Sequence, residues 1–171
     1  MADMQPITIR RGTFVCNIYD VGNLMRLPLA NVRKLWKIMF SAQYENEETI
    51  QLIKDWLPTF IAECADRIPQ AEAELAAAKV TAARKHSESA VMGEGYWSKR
   101  VNRLKAALKR TTSKDNEAQL THELENAITQ RDAPKLADRA ARVAQERVTA
   151  AKAAYIKAQK LQTIFNELNT K

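Results

Sequence analysis

The stretch APKLADRAARVAQERVTAAKAAYIKAQKLQTIFNEL, residues 133–168, decides the fold. It contains no glycine and one proline, Pro134, at a position that a first helical turn tolerates, with Asp132 before it as a cap. Ala140, Ala144, Val148, Ala151, Tyr155, Ala158, Gln162 and Phe165 recur three and four apart, alternating after the first steps. That is the spacing of a coiled-coil seam with small knobs, which lets a partner helix approach closely. At about 1.5 Å per residue the helix is roughly 50 Å long, more than a small core needs. The expected fold is therefore mainly α: a helical bundle or a long antiparallel helical hairpin. The seam over residues 140–165 is a candidate surface for a homo-oligomer.

Upstream, the chain changes character. Seven of its eleven aromatic residues fall within residues 1–70: Phe14, Tyr19, Trp36, Phe40, Tyr44, Trp56 and Phe60. Aromatic side chains bury large areas each, so a compact N-terminal head is expected over residues 1–69. The Ala-rich region 70–171 is expected to be helical, because alanine loses the least entropy on entering a helix. In the head, Ile7 and Ile9, then the RRGT turn, then Phe14, Cys16 and Ile18 alternate as a short β-hairpin does.

Further helices follow from apolar periods. One starts near Pro28 and shows Leu29, Val32, Leu35, Trp36, Met39 and Phe40 on one face. A second is capped by Asn46 with Glu47 and Glu48 in its first turn, and carries Ile50, Ile53, Leu57, Phe60, Ile61, Cys64 and Ile68. Pro58 is expected to bend it and Pro69 to break it. Residues 70–91 form a third helix, ended by a glycine hinge at 93–95. Beyond the hinge the spacing predicts helices over 96–111, 115–130 and 133–168.

Charge is unevenly placed. The net charge is +7, and residues 95–114 hold seven basic residues and no acid, so one segment carries the whole excess. A uniform surplus would imply only solubility or loose affinity for polyanions; a local one implies a site. On a helical wheel Trp97, Val101, Leu104 and Leu108 form a packing seam. Lys99, Arg103 and Arg110 lie opposite it, with Arg100 and Lys109 on the flanks.

Catalytic signatures are missing from the sequence. His86 and His122 fall on different helices, and THELEN lacks the second histidine of a zinc-protease motif. Cys16 and Cys64 have no histidine nearby, and two cysteines do not make a disulfide framework. Gly93-Glu94-Gly95 lacks the Lys-Ser/Thr of a phosphate loop, and the ENEE acids at 45–48 are explained by a helix start. No enzyme, metal or cofactor is expected. MADMQPITIRRG has no secretory pattern and no run of about 20 apolar residues occurs, so a cytoplasmic protein without a membrane span is expected.

The function expected is binding through the basic helix 96–114. Lys99, Arg100, Arg103, Lys105, Lys109, Arg110 and Lys114, with Arg139 and Arg142 on the last helix, form the candidate surface. Its bland reading is a solvated helix back, partly neutralised by Asp115, Glu117, Glu123 and Glu125. Its functional readings are a nucleic-acid backbone, alone or in a nucleoprotein assembly, and an acidic protein partner. Lysines and arginines at helical spacing can meet successive phosphates without reading sequence, and Tyr96 is the ring placed to stack on an unpaired base. The alternative is an adaptor or inhibitor, of the type encoded by phages or plasmids, that docks on a larger protein complex through its helical surface.

Overall fold

The computed structural model describes residues 7–18, 21–93 and 95–170. Tyr19, the side chain of Phe14 and the hinge residue Glu94 lie outside the described residues. The fold is mainly α with a small N-terminal hairpin. Strands β1 (Ile7–Arg11) and β2 (Phe14–Ile18) precede α1 (Val21–Arg26), α2 (Leu29–Ser41), a 3-10 turn (Gln43–Glu45), α3 (Glu47–Val91), α4 (Tyr96–Leu108) and α5 (Lys114–Asn169). The chain forms two compact units, residues 1–70 with 148–171, and residues 71–147.

In the first unit, β1 and β2 pair antiparallel with Ile9 opposite Cys16 and Arg10 opposite Val15. Gly12 opens the two-residue turn at φ 55°, a conformation that costs a side-chain-bearing residue energy. The hairpin lays Ile7, Ile9 and Ile18 on a core completed by Leu24, Val32, Trp36, Met39, Ile53 and Leu57, all buried. Ala158, Leu161 and Phe165 of α5 enter the same core. Residues 148–171 thus cluster with the head rather than with the region after residue 69. They do so because Phe165 supplies aromatic packing that the head's own helices leave open. Its ring meets Trp36 edge-on at 5.6 Å and Phe40 at 5.3 Å.

That placement corrects the seam. Over residues 158–165 the face proposed for a homo-oligomer is filled from within the chain by Ala158, Leu161 and Phe165, with Leu161 rather than Gln162 buried between the other two. Tyr44 is a second correction: it is 84% exposed and donates from its hydroxyl to Glu45 Oε1 at 2.9 Å, so it lies outside the core. Helix α1 has no counterpart in the sequence reading, since six residues are too few to show a period. Its C-terminal end is held by Lys157 Nζ, which donates to the carbonyls of Met25 and Leu27, a cation set against the negative end of the helix.

Two prolines, Pro69 and Pro134, behave differently from expectation. Pro58 and Pro69 lie inside the continuous α3, and Pro134 lies inside α5, so 115–130 and 133–168 are one helix. Each proline removes one backbone bond, at a cost of about 3 kcal/mol in a helix interior. Pro58 and Pro69 face solvent, where water can serve the carbonyl that loses its donor. The packed face continues past the interruption: Ile53, Trp56, Leu57, Phe60 and Cys64 are buried around Pro58, and Ala127 and Ala137 around Pro134. Asp132, expected as a cap, instead pairs with the guanidinium of Arg131 at 2.9 Å.

Asn46 also departs from its expected role. Its carbonyl does accept the first bond of α3, from the Ile50 N–H at 2.8 Å. Its side chain, however, turns to the hairpin. Oδ1 accepts from the Arg10 N–H at 2.8 Å, while Nδ2 donates to the carbonyls of Arg10 at 2.7 Å, Ala42 at 2.8 Å and Met39 at 3.3 Å. One buried amide thus ties β1 to the end of α2.

Cys64 is 2% exposed, and burial pushes its thiol up, against the opposing pull of Arg67 and with a further push from Glu63. A thiol reagent at neutral pH is expected to modify half-buried Cys16 first and Cys64 only on denaturation. Equal rates for two thiols in the native protein would contradict this packing.

Candidate nucleic-acid interface

All nine basic residues of the candidate surface lie in the second unit, and all are exposed. Helix α4 starts after Gly93 and Gly95, both in the left-handed region at φ 83° and 73°. It packs through Val101 and Leu104, with Trp97 beside them, on Leu120, Leu124, Ala127 and Ile128 of α5. Three of the four seam residues therefore face α5, Leu108 is only half-buried and stands outside that cluster, and the basic side is left to solvent. Ala127 is the buried residue that spacing by four from Leu120 missed.

Two shallow clefts line this face. The first, about 180 Å³, is bordered by Tyr96, Lys99, Arg100, Arg103, Leu104 and Glu123. The second, about 500 Å³, is bordered by Arg110 with Thr111, Asn116 and Gln119, and shares Glu123 with the first. Tyr96 is 36% exposed, and its ring sits edge-on to Trp97 at 5.1 Å, which anchors it beside the cations.

The acids of α5 neutralise little of this surface. Glu123 takes Arg100 at 3.1 Å, with both side chains more than a third exposed, a pair of little net worth in water. Arg142 pairs within its own helix, with Glu146 at 3.5 Å. Among the described residues, no acid lies within ion-pair distance of Lys99, Arg103, Lys105, Lys109, Arg110, Lys114 or Arg139.

The structure does not bring all nine together. Tyr96, Lys99, Arg100 and Arg103 share one cleft, and Arg110 borders the next. Lys105, Lys109 and Lys114 border neither. Arg139 lines a separate groove of about 640 Å³ with Leu136, Val143 and the Glu74–Arg147 pair. The sequence also gave no sign of the His86–Asp138 contact, at 2.9 and 3.0 Å, because its partners are far apart in the chain.

No group of three metal-ligating side chains is assembled among the described residues, and no helix there is long and apolar enough to cross a membrane. Fold and surface together define a mainly helical protein with a hairpin-bearing head and a cation-lined helix face. No protein-family model, curated protein or solved structure matches this chain.

Proposed function

We propose that this protein is a non-enzymatic binder of nucleic-acid backbone, which meets phosphates through the exposed face of α4 and the turn that follows it. The observation that carries the reading is the stripe of Lys99, Arg103 and Arg110, exposed and without an acidic partner among the described residues. Four residues of helix separate Lys99 from Arg103, about 6 Å of rise, so the two cations can serve neighbouring phosphates. Tyr96 borders the same cleft and can add a stacked base where the strand is unpaired. Contacts of this kind follow the backbone and do not read sequence.

The test is binding to generic single-stranded and duplex DNA and RNA at two salt concentrations. Each phosphate contact contributes a slope of about −0.9 in log affinity against log salt on a duplex. The variant Lys99→Glu/Arg103→Glu/Arg110→Glu is therefore expected to shed a slope of about 2.7. That slope corresponds to about 40-fold in affinity between about 50 and 200 mM salt. Absence of binding by the wild type at low salt would overturn the reading.

A second reading rests on the groove at Arg139. Leu136 and Val143 there are 60% and 42% exposed, a combination suited to an acidic, amphipathic helix of a protein partner. In that case the protein is an adaptor or inhibitor on a larger complex. Leu136→Asp would then abolish capture of the partner and leave salt-dependent nucleic-acid binding unchanged.

A further inference from the structure

The two edges of the hairpin are treated differently. Along β1, Arg10 has both backbone groups on the Asn46 amide. The Thr8 carbonyl accepts from the Thr49 hydroxyl at 2.9 Å, and the Gly12 N–H donates to Glu45 Oε2 at 3.1 Å. This edge is closed by side chains.

The register then fixes the other edge. In an antiparallel pair, residues alternate between those that exchange backbone bonds with the opposite strand and those whose N–H and C=O face away. Arg10 faces away from β2, so its opposite, Val15, faces away from β1, and so does Asn17 two residues on. The outer edge of β2 therefore presents four backbone groups, and no third strand takes them among the described residues. Val15 is 54% exposed and Asn17 is also exposed. β2, FVCNI, has no charge and no proline, and its ladder runs without a bulge. Those are the devices that ordinarily blunt an edge.

We propose that a second copy of this chain pairs with this edge, β2 against β2, antiparallel about a twofold axis at Cys16. Val15 then faces the partner's Asn17, and Asn17 faces the partner's Val15. These pairs exchange four backbone bonds and join the two hairpins into a four-stranded sheet. Two features select a second copy over another occupant. The edge is self-complementary, so one twofold pairing satisfies both copies at once. It is also uncharged, so identical edges meet without like-charge repulsion. A single strand pair covers less than the roughly 1,200 Å² of a stable interface, so the dimer is weak and forms at high concentration.

The arrangement has its own signature. Cys16 meets its own copy at a position without backbone bonds, where Cα atoms lie about 4.5 Å apart, inside the range a disulfide spans. The experiment is sedimentation velocity on the full chain from about 1 to 500 μM, with treatment by diamide in parallel. Diamide takes up the two thiol hydrogens as one S–S bond forms. Wild type is expected to sediment faster as concentration rises, and to give a covalent dimer that persists in Cys64→Ala and vanishes in Cys16→Ser. Val15→Lys/Asn17→Lys puts charge on solvent-facing positions only. It is expected to weaken association by about tenfold or more while the thermal melt stays unchanged. A monomer at every concentration without a Cys16 cross-link overturns the proposal and leaves the edge to another occupant. A dimer indifferent to the two lysines overturns it equally.

Discussion

Phe165→Ala is expected to lower stability by about 3–5 kcal/mol, among the largest losses a single truncation of this protein should show. Phe165 is 1% exposed and is the point where α5 enters the core of the first unit. Its ring holds two edge-on contacts, with Trp36 and Phe40. Truncation removes the transfer energy of the ring, the aromatic contacts and the packing of a side chain whose neighbours cannot all collapse inward. Trp36 adds to the effect, because its buried indole N–H has no acceptor among the described residues and is held by packing alone. Denaturant titration followed by tryptophan fluorescence checks this. A loss below about 1 kcal/mol would mean that residues 148–171 do not belong to this core.

The second large effect is expected at Asn46. Asn46→Asp keeps the shape and the acceptor for the Arg10 N–H. It also replaces a donor by a negative oxygen facing the carbonyls of Arg10, Met39 and Ala42. The position is 1% exposed, so neither water nor a cation relieves the charge. The loss at neutral pH is expected at about 3–5 kcal/mol, above the roughly 2 kcal/mol of Asn46→Ala. Burial and the facing carbonyls raise the pKa of the introduced carboxyl in the folded state above its unfolded value of about 3.9. Its folded form therefore retains a proton that the unfolded chain has released. The deficit grows as pH rises above the unfolded pKa and levels off once pH exceeds the folded one. Stability of Asn46→Asp should thus approach that of Asn46→Ala as pH falls, and a difference unaffected by pH would remove the charge from the explanation.

The contrast between these two residues shows what a sequence can and cannot disclose here. Phe165 was legible, because it ends a seam whose three-and-four spacing identifies a buried face. What it packs against was not, since no period links residue 165 to Trp36 and Phe40. Local rules make Asn46 a cap, because they assign an asparagine before two glutamates to a helix start. The tertiary contact outcompeted that rule, offering several partners to one amide where a cap offers one or two. The prolines tell the same story: each breaks a local pattern at a cost of a few kcal/mol, and burial on either side exceeds it.

The basic surface was more legible than the fold's connections. Charge counting located it, and the wheel separated Val101 and Leu104, which are buried, from Lys99 and Arg103, which are not. The sequence could not assign Glu123 to Arg100, because any of four acids on α5 could have reached α4 before the register of the two helices was known.

The first unit draws its core from both ends of the sequence, and that fixes a schedule. About a hundred residues separate Leu57 from Phe165, so on a ribosome adding about 5–20 residues per second the early part of this core waits for on the order of 5–20 s. Trp36, Met39, Ile53 and Leu57 emerge first and have no α5 to close on. A nascent chain stalled before residue 148 would display them as an open apolar cleft, a target for chaperones and a nucleus for aggregation. Translation speed across α4 and the first half of α5 is therefore a determinant of yield for this protein, although none of those residues belongs to the unit that is waiting.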